Sequence, residues 1–119
     1  MEPINLAEKF AAFDDAWSPK LIGSVNDFDV KLGKLRGAFV WHSHEEEDEL
    51  FFVVKGRLAI KLRDGEVTLG PGEMVVVPHG VEHMPVADGE AQVLLFERRG
   101  TVNTGDVREE RTVLDPQRI

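Results

Sequence analysis

Apolar residues recur along this chain with two periods. Near the start, Leu6, Phe10, Phe13 and Trp17 follow helical spacing and make one apolar stripe. Asn5 stands where a helix cap belongs, Glu8 follows three residues on as in a capping box, and Ser18-Pro19 ends the run. The spacing predicts a helix over Asn5–Ala16, packed on the outside of the structure that follows or reaching onto a second subunit. From Lys20 the period falls to two, and short alternating runs are separated by turn residues, as in an all-β sandwich or barrel.

The expected strands are Lys20–Val25, Phe28–Leu35 with a bulge at Gly33, Gly37–His44, Glu49–Lys55, Arg57–Arg63, Glu66–Leu69, Met74–Val77, Val81–Val86 and Ala91–Arg98. Asn26-Asp27, Asp64-Gly65, Gly70-Pro71-Gly72, Pro78-His79-Gly80 and Asp88-Gly89 are the turns between them. Beyond Gly100 the chain is polar and reads as a loop or arm without chemistry of its own. The whole is expected to be one domain over residues 1–119, with the helix in 1–18, the barrel in 19–100 and the tail in 101–119.

One stretch concentrates ligand-type side chains. Residues two apart on a strand share a face, so His42 and His44 should point the same way, with Ala38 and Val40. Glu49 has the opposite parity and joins them only if the chain turns within Glu45–Asp48, where strand propensity is poor. A strand starting at Glu49 then carries Glu49, Phe51 and Val53 inward. The same parity sends Phe39, Trp41, Phe52 and Val54 outward, where they need cover from the helix or, as we favour, from a second copy in a homodimer. His83 is a fourth candidate ligand, in a separate stretch. His79 sits on a turn and is expected in solvent. Glu45–Asp48 reads as a solvated turn, with orientation of a ligand imidazole by Glu47 or Asp48 as the alternative.

Gly37-x4-His42-x-His44-x4-Glu49-x6-Gly56, followed by Gly72-x5-Pro78-x-Gly80-x2-His83, resembles the two signature motifs of the cupin superfamily. The spacing before His42 is one residue shorter than usual, and Ala87 stands where the second motif usually ends in asparagine. The resemblance implies a double-stranded β-helix, the jelly-roll barrel of cupins, with His42, His44, Glu49 and His83 on one divalent ion. Three imidazoles and a carboxylate suit iron, manganese, nickel, cobalt, copper or zinc without choosing between them.

Composition narrows the partners. A net charge of −8 with no basic run argues against nucleic acid and anionic membranes. With no cysteine there is no disulfide framework and no thiolate chemistry, and with no tyrosine no phenol can move a proton. No apolar signal core or membrane-length apolar run is present, and a cytoplasmic protein is expected. The pocket should be small and apolar, lined by Ala38, Val40, Phe51, Val53, some of Leu58, Ile60 and Leu62, and one parity of Met74–Val77. Phe96 and Arg98 share a face. Arg98 could meet an anionic substrate if that face is inner, and otherwise makes a surface ion pair. No inward general base besides the ligands is evident. The resemblance implies a metal-dependent enzyme acting on a small oxygenated molecule, of isomerase or dioxygenase type. A module that holds a small ligand on the ion without turnover, and a barrel that the ion merely stabilises, are the alternatives.

Overall fold

In the computed structural model, which describes residues 1–119, Lys20–Val25 (β1) and Phe28–Ala38 (β2) form the antiparallel hairpin that their alternation predicts. Glu49–Lys55 (β3), Leu58–Leu62 (β4), Gly65–Leu69 (β5), Met74–Val77 (β6) and His83–Arg98 (β7) complete an antiparallel sheet that rolls into a barrel. Along its main path the order is β1-β2-β7-β3-β6, and β4 joins β5 to the first half of β7. The structure is thus all-β with one short helix, and 47% of residues lie in strands.

β7 is the spine. Its sixteen residues run through Asp88-Gly89, where two separate strands and a turn were expected. The correction has a local cause. Arg36 pairs with Glu90 while Gly37 pairs with Ala87, so residues 88 and 89 are an insertion that bends one strand without ending it. Gly89 supplies the positive φ of 74° that the bend needs. The first half of β7 pairs with β4, and the second half lies between β2 and β3. Gly33 carries no bulge, because β2 and β7 stay in register from Phe28 to Arg36.

The core fills the barrel with Leu35, Phe39, Phe51, Val53, Leu58, Ile60, Val93 and Leu95 among others. A second, smaller cluster lies outside the sheet. There the helix, Leu6–Ala11 (α1), brings Phe10 and the following Phe13 onto Ile22 and Leu32. The Asn5 side chain caps α1 as expected, accepting from the Glu8 amide at 2.9 Å. The helix stops at Ala11, five residues before the predicted end, and Trp17 adopts a left-handed φ of 59° to turn into the barrel mouth. Lys34, buried beneath this segment, ties it down by donating to the Phe13 carbonyl at 2.6 Å.

Two apolar rows cross the outer face. Val30, Phe96, Leu50 and Val76 stand side by side on four adjacent strands, as do Leu32, Leu94, Phe52 and Met74. The helix covers the β2 end of these rows. At the β6 end, Met74 is 52% and Val76 46% exposed. No helix is long and apolar enough to cross a membrane.

Candidate metal centre

The four predicted side chains converge. One ligand-type atom from each of His42, His44, Glu49 and His83 lies within 4.8 Å of the others, and all four residues are buried. Glu49 begins β3 and, with Phe51 and Val53, points inward as its parity requires. His83 begins β7 from the same side.

The histidine pair reaches the cluster by another route than expected. β2 ends at Ala38, so Gly37–His44 is no strand. The chain leaves the sheet, Ala38 is exposed, and Phe39 turns inward to stack on Trp17 at 4.5 Å between ring centroids. Trp41 stays half-exposed under the Arg63 guanidinium, 3.8 Å from its ring. What holds His42 in place is a single two-residue bridge. His42 N donates to His83 O at 3.0 Å, and His83 N donates to His42 O at 2.9 Å. The backbones of the two motifs are therefore hydrogen-bonded to each other at their histidines.

Tautomers follow from the neighbours. Nδ1 of His42 lies 2.9 Å from Val40 O, and Nδ1 of His83 lies 2.9 Å from Val81 O. A carbonyl only accepts, so each Nδ1 carries the proton and each Nε2 faces the cluster with a free lone pair. His44 Nε2 and His83 Nε2 stand 3.3 and 3.5 Å from Glu49 Oε1. These three atoms are buried without a hydrogen-bond partner. Leaving them so costs about 1–3 kcal/mol each, and a cation at their centre removes that cost. Two donors on opposite sides of one ion, at about 2.1 Å each, stand ~4.2 Å apart. The cluster therefore has the size of one coordination shell with slight slack, and its chemistry fits a divalent transition metal.

Electrostatics prepare the donors. Burial, aided by the neighbouring His83, pushes the His42 pKa down to about 4, so its imidazole stays neutral. For His44 burial acts the same way, but the Glu49 carboxylate 3.3 Å away outweighs it and raises the pKa. Burial opposes the charge on Glu49, yet the two imidazoles hold its carboxyl well below the usual range.

A second inward carboxyl was missed. Glu97, next to the end of β7, is 1% exposed and pairs directly across the sheet with Glu49. Burial and the Glu49 charge push its pKa well above the carboxylate range, against the opposing pull of Lys31. Arg98 and Phe96 lie on the outer face, where Phe96 stacks on Phe28 at 5.2 Å, so Arg98 cannot reach the interior. The inner cavity at the cluster is lined by His42, Glu49 and Glu97 with Phe39, Phe51 and Leu95, and holds about 30 Å³. That is room for one or two water-sized groups. Of the wall residues expected, Phe51 is present, while Ala38 lies outside and Val53 is packed in the core.

Around the centre, His79 is exposed as predicted and meets Asp48, with Nδ1 and Oδ1 2.8 Å apart. Asp48 thus fastens the Pro78-His79-Gly80 turn and orients no ligand imidazole. The tail is more than an arm. Ser43, between the two histidines, donates its amide to Asp106 Oδ1 at 3.0 Å and accepts from the Asp106 amide at 3.1 Å. Asn103 donates to the Trp17 and Arg111 carbonyls at 3.3 and 2.9 Å. Beside His44, Glu45–Glu47, Gly105, Asp106 and Arg108 border an open groove.

A rolled antiparallel sheet with three histidines and a glutamate gathered at one end, in a cluster that could hold a metal ion, defines a β-barrel of the cupin class. The family model for the cupin domain matches residues 29–97, and the chain belongs to that family. It is 47% identical in sequence to a cupin-2 domain protein of Shewanella frigidimarina, whose crystal structure superposes with a TM-score of 0.80 over 81% of this chain and 94% of that one. It is also similar to YdbB of Bacillus subtilis, 38% identical over 63 residues, or 52% of this chain and 56% of YdbB. Similarity to an acireductone dioxygenase of Bacillus licheniformis is 35% over 65 residues, covering 50% of this chain and 36% of that enzyme. The chain thus spans about half, or less, of the lengths of these curated relatives.

Proposed function

We propose that this protein is a mononuclear metal-dependent enzyme of dioxygenase type acting on a small oxygenated molecule. The observation that carries the reading is the set of buried, unpartnered donor atoms on His44, Glu49 and His83 beside the small inner cavity. His42, His44, Glu49 and His83 would hold the ion, which is iron, manganese, nickel, cobalt, copper or zinc. When bound, it supplies Lewis acidity and, if redox-active, one-electron chemistry. The chain does the rest. The Val40 and Val81 carbonyls fix two imidazoles by their Nδ1 protons. Phe39, Phe51 and Leu95 exclude bulk water from the reacting side, and Trp17 closes the wall behind Phe39. Glu97 keeps a carboxyl at the cavity edge.

The partial similarity to acireductone dioxygenase supports oxygen chemistry over sugar-phosphate isomerisation. So does the lack of any inward arginine, since a phosphate needs paired cationic donors. The small size of the cavity favours one second reading, a module that holds a ligand on the ion without turnover. Metal analysis of purified protein tests the centre. We expect about one ion per chain in the wild type and little in His42→Ala or His83→Ala. Equal content in all three defeats the reading. Oxygen uptake by the loaded protein across enediols, diketones and phenols then separates enzyme from module.

A further inference from the structure

Arg63, the residue after β4, touches both of the segments that carry the bridged histidines. Its guanidinium carbon lies 3.8 Å from the centre of the Trp41 ring, and its Nε donates to Glu82 Oε1 at 2.6 Å. Trp41 directly precedes His42, and Glu82 directly precedes His83. Leu62, the neighbour of Arg63 in the chain, pairs with His83 across the sheet.

The two segments are built alike. In each, the histidine Nδ1 donates to the carbonyl two residues earlier, Val40 O or Val81 O, at 2.9 Å. Trp41 and Glu82 are the middle residues of these two bends, so their placement sets where the imidazoles aim. Neither residue lies in a strand. Backbone bonds join the segments at Phe39 N to Pro85 O, at the His42–His83 bridge, and at Gly80 N to His44 O. Trp41 and Glu82 take part in none of these, and Arg63 is what connects them. A planar guanidinium can stack by its face and donate from its edge at once, which an ammonium cannot. Arg63 and Glu82 are 59% and 48% exposed, so the ion pair alone contributes little to folding. Its effect falls on the aim of two donors.

We propose that Arg63 is a positioning residue of the metal centre, gripping Trp41 and Glu82 together so that the His42 and His83 imidazoles stay aimed at one ion. The inference rests on the reading of the four donors as an ion site. The sign of the effect separates it from plain electrostatics. Removing a positive charge from the neighbourhood of a bound cation strengthens binding by Coulomb's law, whereas losing the brace weakens it.

The test uses the full chain. Zinc affinity is measured by chelator competition, cobalt(II) release into excess chelator and its visible spectrum by absorption, and metal-free stability by urea unfolding. Arg63→Ala should lower zinc affinity about three- to tenfold, the combined worth of an exposed cation–π contact and ion pair. It should speed cobalt release and change the cobalt spectrum, while the urea midpoint moves little. Arg63→Lys keeps the charge without the flat fork and should restore only part of the affinity. Trp41→Phe keeps a ring and should retain most of it. Trp41→Ala should lower it, and the double variant with Arg63→Ala should fall little further than either alone, because both remove the same contact. Affinity unchanged or raised in Arg63→Ala, losses that add in full in the double variant, or a loss of metal-free stability as large as the loss of affinity overturns the inference and leaves the ion site standing. Wild-type protein that binds neither zinc nor cobalt overturns the ion site itself, and the role of Arg63 with it.

Discussion

Gly105→Ala should damage the metal centre from outside it. Gly105 lies in the tail with φ of 57° and packs against the loop between His42 and His44. A Cβ built there overlaps the Ser43 carbonyl oxygen, and stands 2.9 Å from the Ser43 carbonyl carbon and 3.1 Å from His42 Cδ2. Two costs follow. A left-handed φ costs an L-residue about 1–2 kcal/mol relative to glycine. Overlap with backbone that cannot swing aside adds about 1–3 kcal/mol. The sum, roughly 2–5 kcal/mol, is large against the 5–15 kcal/mol of a typical domain. Gly100→Ala is the matched control, since its φ of 87° is also left-handed but nothing lies within 4 Å of its Cβ. Urea unfolding of metal-free protein should show a loss of about 1–2 kcal/mol for Gly100→Ala and clearly more for Gly105→Ala. Ser43 sits between two donors, so zinc affinity by chelator competition should fall about 10–100-fold in Gly105→Ala, the range seen when groups supporting a ligand are disturbed. It should hold in Gly100→Ala. Equal stability and equal zinc affinity in the two variants would refute the clamp.

Two further outcomes are expected. Zinc affinity should fall as pH drops, because an imidazole must be neutral to ligate. The raised pKa of His44 makes it take up a proton above its ordinary value, whereas His42 resists until about 4, so the loss should begin near neutrality and continue into acid; affinity constant from pH 7 to 5 by chelator competition would count against this. We also propose that a second copy covers the β6 end of the outer rows. All eight row positions are apolar, so in a chain of net charge −8 this face brings two copies together with no row charge to repel. Sedimentation should show a dimer that Val76→Lys shifts toward monomer, and a monomeric wild type at high concentration would defeat the proposal.

The donor set was legible in the sequence because its spacing encodes local events. Glu45–Asp48 must turn, Glu49 must start a strand, and the strand's period then places Phe51 and Val53 inside. The four donors do meet, although His42 and His44 do not share a strand face. Alternation predicts direction only while pairing continues, and pairing on β2 ends at Ala38. Beyond Gly37, whose φ is 70°, each side chain is aimed by a specific contact: Phe39 by Trp17, His42 by the bridge to His83. Those contacts join residues far apart in the chain, and no local pattern reports them. The tail is similar. Its polar composition reads as a solvated arm, yet Asp106 and Asn103 spend that polarity on backbone groups of the barrel.

Glu97 is a different case, because a signal was present. β7 is apolar on both faces, with Ala91, Val93 and Leu95 on one and Leu94 and Phe96 on the other, so hydrophobicity does not say which is inner. The charge at either end does not decide it either, since Glu97 and Arg98 close opposite faces. Register decides it. Once Glu49 is taken as inward, its direct cross-strand partner must be inward too, and that partner is Glu97. A carboxyl forced beside another carboxyl in a dry interior is tolerable when one of them keeps its proton or a cation stands beside it. Glu97, its pKa pushed up by burial and by the Glu49 charge, is the one that keeps the proton, and it takes the Lys31 ammonium on its other oxygen, while the imidazoles of His44 and His83 hold Glu49 in the charged form.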